Sequence, residues 1–218
     1  MTIARRHYQR TIAAAAGAND PSASVPPAYS NQYELMLAQL AEHRRVLHGI
    51  QSIERKAEAK RKMLPEYTAW VSGALEGDSG RQDDVLMTIM VWAIDVGDYT
   101  TATLIAAYAL KHGLTMPDQY KRDAATLVAE EIADAALAPG GAVGGDVLSE
   151  LSDLTADHDM PDEVRAKLNK AIGLALESTA PQVALEHLNR ALALNDRVGA
   201  KKDIERIERT IKKAGTTG

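Results

Sequence analysis

The chain has 218 residues, 45% of them hydrophobic and 25% charged, with no cysteine and a formal net charge of −5. A chain of this length buries about 70% of its unfolded surface on folding, so a substantial core is available. Lack of Cys excludes a disulfide framework, a thiolate nucleophile and a cysteine zinc site, and no apolar run reaches the ~18 residues needed to span a bilayer.

From the N-terminus, Ile3 to Ala16 suits a short basic helix that is marginal in isolation. Gly17 to Ser30 holds Pro21, Pro26 and Pro27 among small polar residues and reads as a flexible linker. Residues 1–30 therefore form a basic arm and linker. The N-terminus has no contiguous apolar segment of the secretory type, which places the expected protein in the cytoplasm.

Asn31–Lys62 then reads as one long helix, about 48 Å if unbroken. Tyr33, Met36, Leu37, Leu40, Leu47, Ile50 and Ala57 fall at heptad-like positions, interrupted by Arg44 and Glu54. The seam admits packing within the chain or an intersubunit coiled coil, and the uncapped length favours assembly.

Charge is unevenly spread. Residues 1–62 hold ten Lys/Arg against five Asp/Glu, a balance of +5, so the remainder carries −10. The cations are Arg5, Arg6, Arg10, Arg44, Arg45, Arg55, Lys56, Lys60, Arg61 and Lys62, together a candidate polyanion-binding face. The densest run, Arg55–Lys62, has two readings: a solvated helix face with Glu54 and Glu58 as ion-pair partners, or phosphate contact by exposed Lys and Arg. Charge runs are usually solvent faces, so the residues alone favour the first.

Leu64–Asp118 reads as three short helices. Pro65 suits a first helical position, and Tyr67, Trp70, Val71, Ala74 and Leu75 mark one apolar face. Gly77-Asp78-Ser79-Gly80 breaks that helix. The second carries Val85, Leu86, Ile89, Met90 and Ala93 and ends at Gly97. Asp98 caps the third, in which Tyr99, Ala102, Ile105, Ala106, Ala109 and Leu110 face inward before Gly113 stops it. Another helix covers about Arg122 to Leu137, completing a central helical core over residues 63–138.

The loop Pro139–Gly145 lacks the Gly-Lys-Ser/Thr ending of a phosphate-binding P-loop and reads as a connector. Asp146 opens a short helix through Leu154, and Asp157-His158-Asp159 reads as turn and capping residues rather than metal ligands. Pro161 and Pro181 open two further helices. ALEHLNRALALN in the second resembles a tetratricopeptide helix, without a regular 34-residue period. Lys201–Lys213 is a last amphipathic helix with Ile204, Ile207 and Ile211 on one stripe, so residues 146–213 form helical hairpins. The fold class is all-α.

Catalytic and metal patterns are weak, and no catalytic or metal residue is assigned. The six histidines form neither His-x-Glu nor His-Glu-x-x-His. Asp83-Asp84 and Glu130-Glu131 are adjacent pairs, and neighbouring helical side chains diverge by about 100°, so neither pair converges on a metal by itself.

The run GRQDDVLMTIMVWAIDVGDYTTATLIAAYALKHGLTMP, with DMPDEVRAKLNKAIGL further on, closely resembles the small terminase subunit of temperate tailed phages with cohesive-ended genomes. The likeness covers roughly Gln32 to Lys213. It implies a role in viral genome packaging: binding concatemeric phage double-stranded DNA and presenting it to the large motor-nuclease subunit, in the cytoplasm of the infected host. It also implies a homo-oligomer, expected as a ring, and no membrane partner. It shifts the Arg55–Lys62 run towards phosphate contact, with Arg5, Arg6 and Arg10 as an arm closing on the duplex. Many small terminases outside this family bind DNA through an N-terminal helix-turn-helix, and Ile3–Ala16 is too short for one. Some members carry the label of terminase endonuclease subunit, so a metal-dependent endonuclease stands as the alternative, with Mg²⁺ its only implied cofactor. A tetratricopeptide-like adaptor that binds protein alone is the third reading.

Overall fold

The structure, a computed structural model, describes residues 2–15 and 27–216, with side chains as far as Lys213. The described residues form eleven α-helices and one 3-10 turn, with no strand. The chain folds as two compact units, Met1–Ala124 and Ala125–Gly218.

The first unit contains α1 (Ile3–Ala15), α2 (Pro27–His48), α3 (Ile53–Met63), the 3-10 turn Leu64–Glu66, α4 (Thr68–Gly77), α5 (Asp84–Val96) and α6 (Tyr99–His112). Most of the expected linker, residues 17–26, lies outside the described residues, but its last four residues are helical and Pro27 heads α2.

The single long helix expected over Asn31–Lys62 is two helices. Gly49 and Ile50 close α2 with hydrogen bonds to the Val46 and Leu47 carbonyls, at 3.2 and 3.1 Å. Ser52 then adopts an extended backbone, and its hydroxyl accepts from the Arg55 N–H at 3.3 Å. A glycine, which is a poor helix former, followed by an N-capping serine restarts the chain in a new direction.

The heptad-like seam is spent inside the chain. Met36, Leu40 and Leu47 are buried. Two aromatic groups fasten α2 to its neighbours: Trp70 sits 5.4 Å from Tyr29 and 5.8 Å from Tyr33, while Tyr67 meets His43 at 5.7 Å and Trp92 at 6.0 Å, ring centre to ring centre. This is the first of the two packings open to the seam, chosen because α4 and α5 supply the apolar partners.

Helix α5 is the centre of the unit. It contacts α2, α3, α4 and α6, and Val85 to Met90 and Trp92 to Ile94 are all buried. A helix that is apolar on every side must be enclosed. Its ends follow the sequence: Asp83 caps it, and Gly97 takes the left-handed conformation at φ 83° that ends it. Asp98 caps α6 through the Thr101 N–H at 3.1 Å. Asp78, left-handed at φ 47°, ends α4 and is tied to Lys111 at 2.6 Å and His112 at 2.6 Å on α6.

The second unit holds α7 (Ala124–Leu137), α8 (Gly145–Leu154), α9 (Asp162–Leu176), α10 (Pro181–Leu194) and α11 (Lys201–Thr216). The boundary thus falls at the first residue of α7, and that helix groups with the C-terminal helices. Lys167 of α9 reaches Asp134 of α7 at 2.9 Å. Helices α9 and α10 form an antiparallel hairpin. Asn169 meets His187 at 3.0 Å, and a β-carbon on Gly173 would stand 2.7 Å from the Leu188 side chain. Ala184, Leu188, Ala200, Ile204 and Ile207 close the core between α10 and α11. The Asp157-His158-Asp159 stretch is a turn, and the His158 carbonyl accepts from Arg165 at 2.9 Å.

Candidate nucleic-acid interface

The ten candidate cations divide by what they touch. Three are in ion pairs: Arg10 with Glu76 of α4, Arg45 with Glu42, and Lys60 with Asp95 of α5. Arg10 donates from Nε to Glu76 at 2.8 Å, which commits it to holding α1 on α4. Arg61 reaches the Val96 carbonyl at 3.5 Å. Lys60 and Arg61 therefore sit at the C-terminal end of α5, where positive charge complements exposed carbonyls. Lys60 also lies 5.9 Å above the Trp92 ring.

Arg5, Arg6, Arg55 and Lys62 are exposed. Lys56 is half-buried and, with Arg44, His48 and Lys60, lines a cleft of about 480 Å³ floored by Leu47 and Trp92 and edged by Gln119 and Tyr120. The end of α2, the face of α3 and the body of α5 create this cleft. It exists because the chain breaks at Gly49: an unbroken helix would carry Lys56 and Lys60 away from Arg44. The α1 cations do not line it. Sequence reasoning named three of these cations, Arg44, Lys56 and Lys60, but missed His48, Trp92 and the Gln119-Tyr120 rim. The Ser52 cap in Gln-Ser-Ile-Glu-Arg is the signal that would have located the break.

Asp83, weighed earlier as a metal ligand, has a structural role. Its two carboxylate oxygens accept from the Leu86 N–H at 2.9 Å and the Trp70 indole N–H at 2.7 Å. Burial pushes its carboxyl up to about 6, against the opposing pull of those two hydrogen bonds. Glu130 is engaged by Lys167 at 3.4 Å. Among the described residues no three His, Asp or Glu side chains converge as metal ligands would.

The raised Asp83 carboxyl has a measurable consequence. The folded state holds this proton more tightly than the unfolded state, whose carboxyl titrates at about 3.9. Its contribution to stability is therefore full below about pH 4, declines as pH rises to about 6 and is flat above. The expected decline is of order 2–3 kcal/mol. Asp83→Asn should abolish this pH-dependent component while adding a constant penalty, since an amide nitrogen replaces one of the two acceptors. Urea midpoints of both proteins from pH 4 to 7 check this; parallel curves would rule it out.

Fold and cleft together define the class: an all-helical protein with a cationic cleft and, among its described residues, no converging carboxylate or histidine cluster. Within that class the family is definite. The phage small terminase subunit model matches residues 37–163, more than half of the chain, and the chain belongs to that family, whose role is viral DNA packaging. It is 46% identical over 213 residues to the terminase, endonuclease subunit, of Escherichia phage P2, covering 96% of this chain and 85% of that protein. It is 25% identical over 224 residues to the probable terminase, endonuclease subunit, of Haemophilus phage HP1, covering 92% and 80%. No solved structure gives a significant match. No helix among the described residues is long and apolar enough to cross a membrane.

Proposed function

We propose that this small terminase subunit holds double-stranded viral DNA by backbone contacts on its α2–α3 face and presents it to the large terminase subunit in the cytoplasm of the infected host. The carrying observation is the fate of the cations: Arg55 and Lys62 of α3 are exposed, Lys56 lines the cleft with Arg44 and His48, and among the described residues none of the three α3 cations is in an ion pair. Phosphate contact needs accessible cations rather than a fixed motif. Assembly into a homo-oligomer belongs to the same reading, through surfaces other than the Met36–Leu47 seam, which is buried within the chain.

The test is duplex binding in magnesium-free buffer over a series of salt concentrations. Arg55→Glu/Lys56→Glu/Lys62→Glu should weaken binding to viral-end and unrelated duplexes alike, because backbone contacts carry no sequence information. Each lost contact should lower the log–log salt slope by about 0.9. Lys60 and Arg61 are left intact, since reversing Lys60 would set a glutamate against Asp95. Unchanged affinity and slope would remove α3 from the DNA site. The names of the two phage relatives carry the second reading, an endonuclease. Adding Mg²⁺ to the bound complex and looking for strand scission tests it.

A further inference from the structure

Arg44 is a cleft cation anchored by a buried hydroxyl of the core rather than by a carboxylate. Its Nη2 donates to the Thr88 hydroxyl at 2.7 Å. Thr88 is wholly buried on α5, and its own hydroxyl proton is directed to the Asp84 carbonyl at 2.7 Å. The hydroxyl lone pair thus faces Arg44, and among the described residues no carboxylate forms an ion pair with the guanidinium, although Asp84 and Asp118 line a neighbouring cleft with it. A partly desolvated cation without a paired counter-ion is unfavourable, and Lys56 on the same cleft adds like charge. Where Arg10, Arg45 and Lys60 are matched by protein carboxylates, no described carboxylate pairs with Arg44 or Lys56.

We infer that this cleft is a discrete site for one phosphate group, with Arg44 as the fixed, planar donor and Lys56 and His48 as adjustable donors at its mouth. An anchored guanidinium suits the two-oxygen edge of a phosphate, whereas a flexible ammonium acts as a point charge. The inference rests on the DNA-binding reading for its natural ligand, a backbone phosphate, but free phosphate presents the same chemistry. Thr88 is a positioning residue here: it acts through Arg44.

The test uses the full chain with two probes. The first is a 20-base-pair duplex; the second is inorganic phosphate titrated against chloride at constant ionic strength, read by NMR at the Trp92 indole and Arg44 side-chain resonances. Arg44→Gln should weaken duplex binding by about tenfold or more and lower the salt slope by about 0.9. Arg44→Lys should keep the slope but not the affinity. Thr88→Val, near-isosteric and leaving the charge intact, should weaken binding severalfold with the slope unchanged, a split that a merely structural role would not produce. Melting temperatures verify that each variant is folded. A saturable phosphate response lost in Arg44→Gln extends the site to free phosphate; a slope change without that response assigns it to the nucleic-acid backbone alone. If Arg44→Gln and Thr88→Val bind duplex as wild type does and phosphate gives no Arg44-dependent response, the site is overturned. The α2–α3 face survives that result if the α3 triple variant still loses DNA. If wild type binds no duplex yet phosphate saturates through Arg44, the DNA reading falls and the phosphate site stands.

Discussion

Leu86→Ala should lower the unfolding free energy by about 2–5 kcal/mol, and Ile89→Ala by a similar amount. Both residues lie on α5, Leu86 fully buried and Ile89 2% exposed, and α5 is enclosed by α2, α3, α4 and α6. The penalty for a truncated side chain grows with the cavity left behind, and a helix held on all sides has little room to collapse into it. The upper half of the range is therefore expected for Leu86, whose neighbours Met87 and Met90 are themselves wholly buried. Chemical denaturation of the full chain, followed through Trp70 and Trp92, reads the effect directly because both indoles are buried in this unit. A near-unchanged midpoint in both variants would show that α5 is not the centre of the core.

How much of this was legible in the sequence varies from element to element. The end of α5 and both ends of α6 were, because Gly97, Asp98 and Gly113 each supply a local capping signal and each performs it in the structure; the Asp83 cap at the start of α5 was not read as one. The enclosure of α5 was only half legible. Periodicity marked Val85, Leu86, Ile89, Met90 and Ala93 as one face, but Met87, Trp92 and Ile94 are buried too, and only tertiary packing determines that a second face is covered. The break between α2 and α3 was missed because long-range apolar spacing was weighed above a single glycine and serine. The cleft was missed for the same reason, since its geometry follows from that break. The cations were visible as charge, but their allocation was not. Nothing local distinguishes Lys56 from Lys60 four residues on: both line the cleft, but Lys60 pairs with Asp95.

The docking of α1 yields the second prediction, and its sign separates two accounts. A basic helix of 13 residues is marginal alone, yet α1 lies against α4 along Gly73 and Gly77. A β-carbon on Gly73 would overlap the Arg10 carbonyl oxygen and stand 2.7 Å from the Ala13 β-carbon; one on Gly77 would stand 2.6 Å from the Ala14 carbonyl oxygen. Backbone approach of this kind requires glycine. On local propensity, replacing a mid-helical glycine with alanine stabilises a helix by about 1 kcal/mol, so an α4 without a partner should become more stable. On the packing account Gly73→Ala and Gly77→Ala should each destabilise by about 1–3 kcal/mol, because backbone atoms cannot rotate aside as a side chain can. The loss should be confined to α1: its amides should exchange faster while those of α5 keep their protection, and the Arg10–Glu76 pair should loosen with it. Hydrogen exchange of the double variant measures both parts at once. A raised melting temperature with α1 still protected would mean that the two glycines are incidental and that Gln9 and Ala13, the buried residues of α1, hold the helix by themselves.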